Sequence, residues 1–159
     1  MTLYNLLVFV HLVAAFLLVG GLTIQRLGVM MMRSASHGGE ALGGYRTYAA
    51  SPRLIGPFST VTVLTGLVLA WHLGYTWRAL WISGSVLLLV VLEILRATVV
   101  TPQVKLLHAA SLQAAADPTA HGAALIAVAR SPQIHWGYVG IELVNTTILA
   151  LMVFKPMSL

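Results

Sequence analysis

The sequence predicts an all-α fold, an integral membrane four-helix bundle, on three observations. Hydrophobic residues make up 58% of the 159 residues and charged ones 8%, where a soluble domain carries about 25% charged residues. Four stretches are apolar and long enough to cross a bilayer as helices, which takes about 20 residues. The nine lysines and arginines gather at the ends of those stretches. Most of the chain lies in the spans, so one transmembrane domain over 1–159 is expected, with no separate soluble domain.

The first span covers residues 3–31 and opens with LYNLLVFVHLVAAFLLVGGLTIQ, uncharged from Leu3 to Gln25. No basic stretch or small-residue cleavage site accompanies it, so it reads as a retained helix rather than a signal peptide. A linker follows over 32–53. Its segment SASHGGEALGGYRTYAAS is glycine-rich and is expected to be irregular. The second span, 54–77, is also uncharged. The third, 79–99, is interrupted only by Glu93 and Arg96. In the second linker, 100–132, the stretch Gln103 to Ala116 is rich in Ala, Leu and Gln, which predicts that the third helix continues past the membrane. Asp117-Pro118 is a helix start, with Asp as N-cap and Pro at the first helical position. That helix should stop before Ser131-Pro132. The fourth span, 133–154, carries Glu142.

Basic residues set the orientation. Arg26, Arg33, Arg46, Arg53, Arg96, Lys105 and Arg130 fall in or beside the two linkers, against Arg78 and Lys155 at the other side. The linkers are therefore expected in the cytoplasm of a bacterium, with both termini outside its inner membrane. Tyr75, Trp77 and Trp81 would form an outer aromatic belt, Trp136 and Tyr138 an inner one. The segments AASPRLIGP and ARSPQIHWG, 80 residues apart, precede the second and fourth spans and hint at a duplicated hairpin.

The net charge of +5 does not point to nucleic acid, because the basic residues are few and flank spans. Without cysteine there is no disulfide, thiolate metal site or covalent c-type haem attachment. The ionisable groups inside the spans are then the candidates for function, since each is costly there and needs a partner or a purpose. His11 lies ~12 Å from the outer face and His72 ~7 Å, at 1.5 Å per residue. Helix tilt can absorb that difference. Paired membrane histidines suit a b-type haem, which neutral imidazoles ligate axially. The competing reading is plain packing: His72 near the interface can hydrate, and His11 can bond a neighbouring carbonyl. One histidine with a different axial ligand, or a metal ion, also stays open.

A second polar group lies deeper. His135, Tyr138, Glu142 and Asn145 recur at helical spacing on one face of span four, and Glu93 and Arg96 stand at a similar depth on span three. Functionally this suggests a proton path, a quinone headgroup pocket or a cation route. Structurally it suggests an Arg96–Glu93 ion pair with hydrogen bonds between spans three and four, and that reading weighs more. Met30, Met31 and Met32 invite copper, which thioethers ligate, but consecutive helical residues cannot all line one site. His37, His108 and His121 lie in linkers and are expected to be solvated.

At HLVAAFLLVGGLTIQRLG, a histidine early in the first helix, a Gly pair about ten residues on and a basic inner end resemble a group of small bacterial membrane proteins. These include the copper-resistance CopD-like domains and an uncharacterised family of predicted integral membrane proteins, which TGLVLAWH in span two also fits. More distantly the pattern resembles HemJ-type protoporphyrinogen oxidases, whose histidine would map onto His11. Those enzymes also use a lysine in a later span; here Arg96 stands nearest. The leading expectation is a b-haem-binding or redox-associated membrane protein. His11 and His72 would be its axial ligands, and Glu93, Glu142 and His135 would handle protons or quinone. The rivals are a non-catalytic accessory subunit of a respiratory or photosynthetic membrane complex, and a small copper or ion transporter.

Overall fold

The computed structural model describes residues 2–75 and 79–155; Trp77 and Arg78, expected at the outer turn, lie outside them. The described residues are helical almost throughout and contain no strand. Helix α1, Leu3–Ser34, is capped by the Thr2 hydroxyl, which accepts from the Asn5 amide. At 32 residues it is about 48 Å long, so it outruns a bilayer core of about 30 Å.

The stretch expected to be irregular is instead a helix, α2, Gly38–Ala50. Its start is held reciprocally. The His37 ring accepts from the Glu40 amide at 3.4 Å, and the Glu40 carboxylate accepts from the Ser36 amide at 2.8 Å. This is the logic of a capping box with imidazole in place of a hydroxyl. Two of the glycines that suggested a loop, Gly38 and Gly44, serve close packing: a Cβ on Gly44 would meet the Met32 amide nitrogen at 2.7 Å.

Helix α3 is Pro52–His72, with proline at its first position. Helix α4, Leu80–Leu95, runs through a π-turn at Arg96–Val100 into α5, Thr101–Ala116. Pro102 explains the π-turn. It has no N–H for the carbonyl four residues back and its ring crowds that carbonyl, and a wider turn accommodates both. The Thr101 hydroxyl donates to the loosened Arg96 carbonyl at 2.9 Å. Helix α6, Pro118–Ala129, is capped by Asp117, and α7, Pro132–Phe154, by Ser131.

These helices make two antiparallel hairpins. In the first, α1 packs along α2 and α3 in constant register: Met32 with Gly44, Gly28 with Tyr48, Gly21 with Ile55, His11 with Thr65, Tyr4 with His72. Each step along α1 is matched by an equal step on the returning strand of chain. The steps keep to the three-, four- and seven-residue repeats of a helical seam. In the second, α4 packs on α7 and α5 on α6, with Gly84 against Leu151, Gly140 against Leu95 and Gly137 against Val100.

The start of α1, the end of α3, the start of α4 and the end of α7 share one side of the molecule, the terminal end. The hairpin tips form the linker end. There the hairpins join. Gly38 and Gly122 allow α2 onto α6. Arg130 Nε donates to the Arg33 carbonyl at 2.8 Å, and Arg33 Nη1 to the Ala129 carbonyl at 3.4 Å. Each arginine thus caps the C-terminal end of the other's helix. Val29, Met32, Ala41, Tyr48, Leu107 and Leu125 belong to a contiguous core at this end.

Candidate functional site

His11 sits on the α1/α3 seam. Its Nδ1 is 3.0 Å from the Thr65 hydroxyl oxygen, and its ring lies against Gly66, where a Cβ would meet Cε1 at 3.1 Å. The Thr65 hydroxyl donates its single proton to the Val61 carbonyl at 2.6 Å. With its proton so engaged the hydroxyl accepts from His11 Nδ1, and in that tautomer Nε2 keeps its lone pair. A hydrogen bond that fixes the tautomer in this way is what orients a ligating histidine.

His72 lies on the same seam and is not brought to His11. It is exposed and stacks on Tyr4, with ring centroids 6.1 Å apart. From Thr65 to His72 the helix rises by about 10 Å. The two imidazoles therefore occupy different levels, two turns apart, of one helix pair.

The deeper polar group divides in two. Arg96 Nη2 reaches Glu93 Oε2 at 3.1 Å within the third span. Glu142 is paired with Arg26 of α1, Nε to Oε1 at 3.4 Å. That partner was counted from sequence only as a flanking charge, and its spacing within α1 gives no hint of Glu142. Tyr138 bonds Tyr48 of α2, oxygen to oxygen 2.8 Å, inside the core. Asn145 donates to the Ile141 carbonyl of its own helix, and His135 packs edge-on to Trp136. The four residues predicted to share a face of span four do so, but they serve four different contacts.

Elsewhere, His108 accompanies Tyr45 at 2.7 Å and His37 caps α2. Of the three methionines, Met32 is buried while Met30 and Met31 are exposed. Among the described residues, no three of His, Asp and Glu are grouped to hold a metal ion. At the terminal end the Lys155 ammonium lies 5.5 Å over the Trp81 ring and 5.7 Å over Tyr75, a cation–π anchor of the kind found at membrane surfaces.

Four of the helices, or continuous runs of helix, are long and apolar enough to cross a membrane. Arranged as two hairpins joined at one end, they define a multi-pass α-helical membrane protein. The chain belongs to the DUF2269 family of predicted integral membrane proteins, whose model matches residues 5–156. No curated protein and no solved structure matches it.

Proposed function

We propose that this is a b-type haem-binding, redox-associated protein of a bacterial inner membrane, with His11 as the leading axial ligand and His72 as the second candidate. The observation that carries the reading is the His11–Thr65 hydrogen bond, which favours the tautomer with Nε2 as the unprotonated nitrogen an iron needs. Bound haem would supply one-electron transfer; the chain supplies the ligand, its tautomer and an apolar setting. For His72 to share that iron, the terminal ends of α1 and α3 must part, and the exposed Tyr4–His72 stack is the contact that would yield. The likeness of the first helix to CopD-like and HemJ-like proteins bears on the same choice. Glu93, Glu142 and His135 accompany the reading as proton- or quinone-handling groups. Arg33, Arg46, Arg53, Lys105 and Arg130 at the linker end support a cytoplasmic linker side with both termini outside.

The test is the visible spectrum of detergent-purified protein made with ample haem, first oxidised and then reduced with dithionite. The expected result is a Soret band with α and β bands that sharpen on reduction, lost in His11→Ala. Thr65→Val should weaken haem retention by about 10- to 100-fold, as loss of a ligand's orienting partner does. Protein absorbance alone would overturn the proposal. A second reading, an accessory subunit of a larger membrane complex, is favoured by α3, which has no buried residue. It predicts copurification with a partner and tolerance of substitution at both histidines.

A further inference from the structure

The two hairpins follow one plan: a long helix, a tip, a short capped helix, a Ser-Pro break and a span. His37 and Asp117 cap the short helices, and Ser51-Pro52 and Ser131-Pro132 begin the spans, each pair 80 residues apart. Gly38 and Pro118 are equivalent under that shift, and they touch each other. Contact between equivalent positions is what a two-fold axis produces. Both hairpins start at the terminal end, so the axis runs along the membrane normal. Membrane proteins built from parallel repeats carry their ligand sites near the midplane, between the repeats.

One ion pair, Arg26–Glu142, joins the hairpins there, and a second, Arg96–Glu93, lies on the neighbouring helix at the same depth. Glu142 lies ten residues, about 15 Å, into α7 from Pro132. Glu93 is level with it, two residues before Leu95 as Glu142 is two after Gly140, the pair in contact. On α4 and the π-turn, Ile82, Ser85, Leu89, Glu93, Arg96 and Val100 fall on one stripe. Its ends are buried, and Val100 shares the core with Tyr48 of the other hairpin. Arg26 reaches Glu142 from that hairpin. Yet the side chains stay open, Arg26 and Glu142 at 28% and 46% exposure, Arg96 and Glu93 at 54% and 61%. Each charge has one partner, but hydrocarbon solvates none of the open remainder, and a polar ligand would.

We propose that the interface between the hairpins, beyond the linker-end core, binds the headgroup of a lipid-soluble quinone or quinol, with Arg26, Glu142, Glu93 and Arg96 as its polar contacts. The choice of a quinone rests on the redox reading above; the site itself needs no haem. A phospholipid headgroup stays at the bilayer surface, about 15 Å away by the depth of Glu142. A flat neutral ring on an apolar tail enters sideways, past exposed Leu87, Val90 and Ile94. Its oxygens accept from the guanidinium groups, and in the reduced form its hydroxyls donate to the carboxylates.

The test titrates detergent-purified protein with a decyl-chain benzoquinone and follows tryptophan fluorescence, with free tryptophan in the same micelles as baseline. Saturable quenching is expected. Its Kd should rise about tenfold or more in Glu142→Gln and Arg26→Gln, the loss of one charge-assisted hydrogen bond. Glu40→Gln should bind as the natural protein does. If Arg26→Gln fails to fold, Glu93→Gln, which leaves the Arg26–Glu142 pair intact, reads the same site. Linear quenching by the natural protein, or an unchanged Kd in both Glu142→Gln and Glu93→Gln, overturns the proposal. Saturable quenching without haem bands removes only the haem, and haem bands with linear quenching remove only this site.

Discussion

The linker half and the terminal half of this molecule are built from the same hairpins and held together differently. At the linker end, Met32, Leu107 and Leu125 are fully buried, and the hairpins exchange arginine caps and a tyrosine pair. Toward the terminal end, Phe9, Phe16, Leu87 and Val153 are exposed, and α3 buries nothing. Every hydrogen bond or ion pair between the hairpins, among the described residues, lies from Arg26 and Glu142 linkerward. Protein packing therefore fixes the relation of the hairpins at one end only. The other end leaves its faces to lipid and to whatever binds there, and both candidate sites lie at or beyond that boundary.

If stability resides in the linker half, the largest effect should come from separating α1 and α2. A Cβ at Gly28 would stand 2.5 to 2.7 Å from the Tyr48 backbone, whereas one at Gly20 would meet nothing within 4 Å. Gly28→Leu should destabilise by ~3 kcal/mol or more, since backbone cannot move aside as a side chain can. That is a fall of about 10 °C in the thermal midpoint in detergent. Gly20→Leu should stay near the natural value, and equal losses in the two would break the comparison. Next comes Leu125→Ala, expected to cost ~3 kcal/mol for the cavity it leaves, against ~0.5 kcal/mol or less for Leu87→Ala. Leu125 is fully buried and Leu87 exposed.

The same division explains what could be read from the chain. Spans were legible because hydrocarbon demands long apolar helices, and the continuation into α5, the Asp117 start and the Ser131-Pro132 break follow from local backbone chemistry. Helix α2 was not legible. Gly38, Gly43 and Gly44 depress helix propensity, and at Gly38 and Gly44 the compensation is close packing on another helix, which only tertiary structure supplies. The Arg96–Glu93 pair was legible at three-residue spacing. The partners Arg26–Glu142, Tyr48–Tyr138 and His11–Thr65 join residues 116, 90 and 54 apart, and no periodicity encodes such pairings. The recurring Ser-Pro segment was visible too, and it begins the returning span of each hairpin, at Pro52 and Pro132.

The tyrosine pair offers an intermediate test. Tyr138→Phe leaves the Tyr48 hydroxyl buried without its partner, which should cost ~2 kcal/mol. Adding Tyr48→Phe removes both ends of the bond, so the double variant should lose less than the sum of the singles. A strictly additive pair would mean that the bond contributes nothing to joining the hairpins.

The smallest effect concerns pH. The Thr119 hydroxyl and the Ala120 and Thr119 amides all donate to Asp117, holding its carboxyl below the usual aspartate range. A carboxyl depressed by folding contributes stability that is complete above its unfolded value, about 3.9. That contribution fades as the pH drops through the folded value, when the cap of α6 takes up a proton. Acidification below pH ~4 should therefore loosen α6 before it affects the terminal half, whose seams involve no carboxylate cap. Amide exchange over residues 118–129 and over α3, measured between pH 5 and 3, checks this. Asp117→Asn should exchange alike across that range, because its amide can still cap the helix but does not titrate. If α3 loosened first in the natural protein, the terminal half would depend on an acid-sensitive contact, and the picture of a linker end that alone secures the hairpins would have to change.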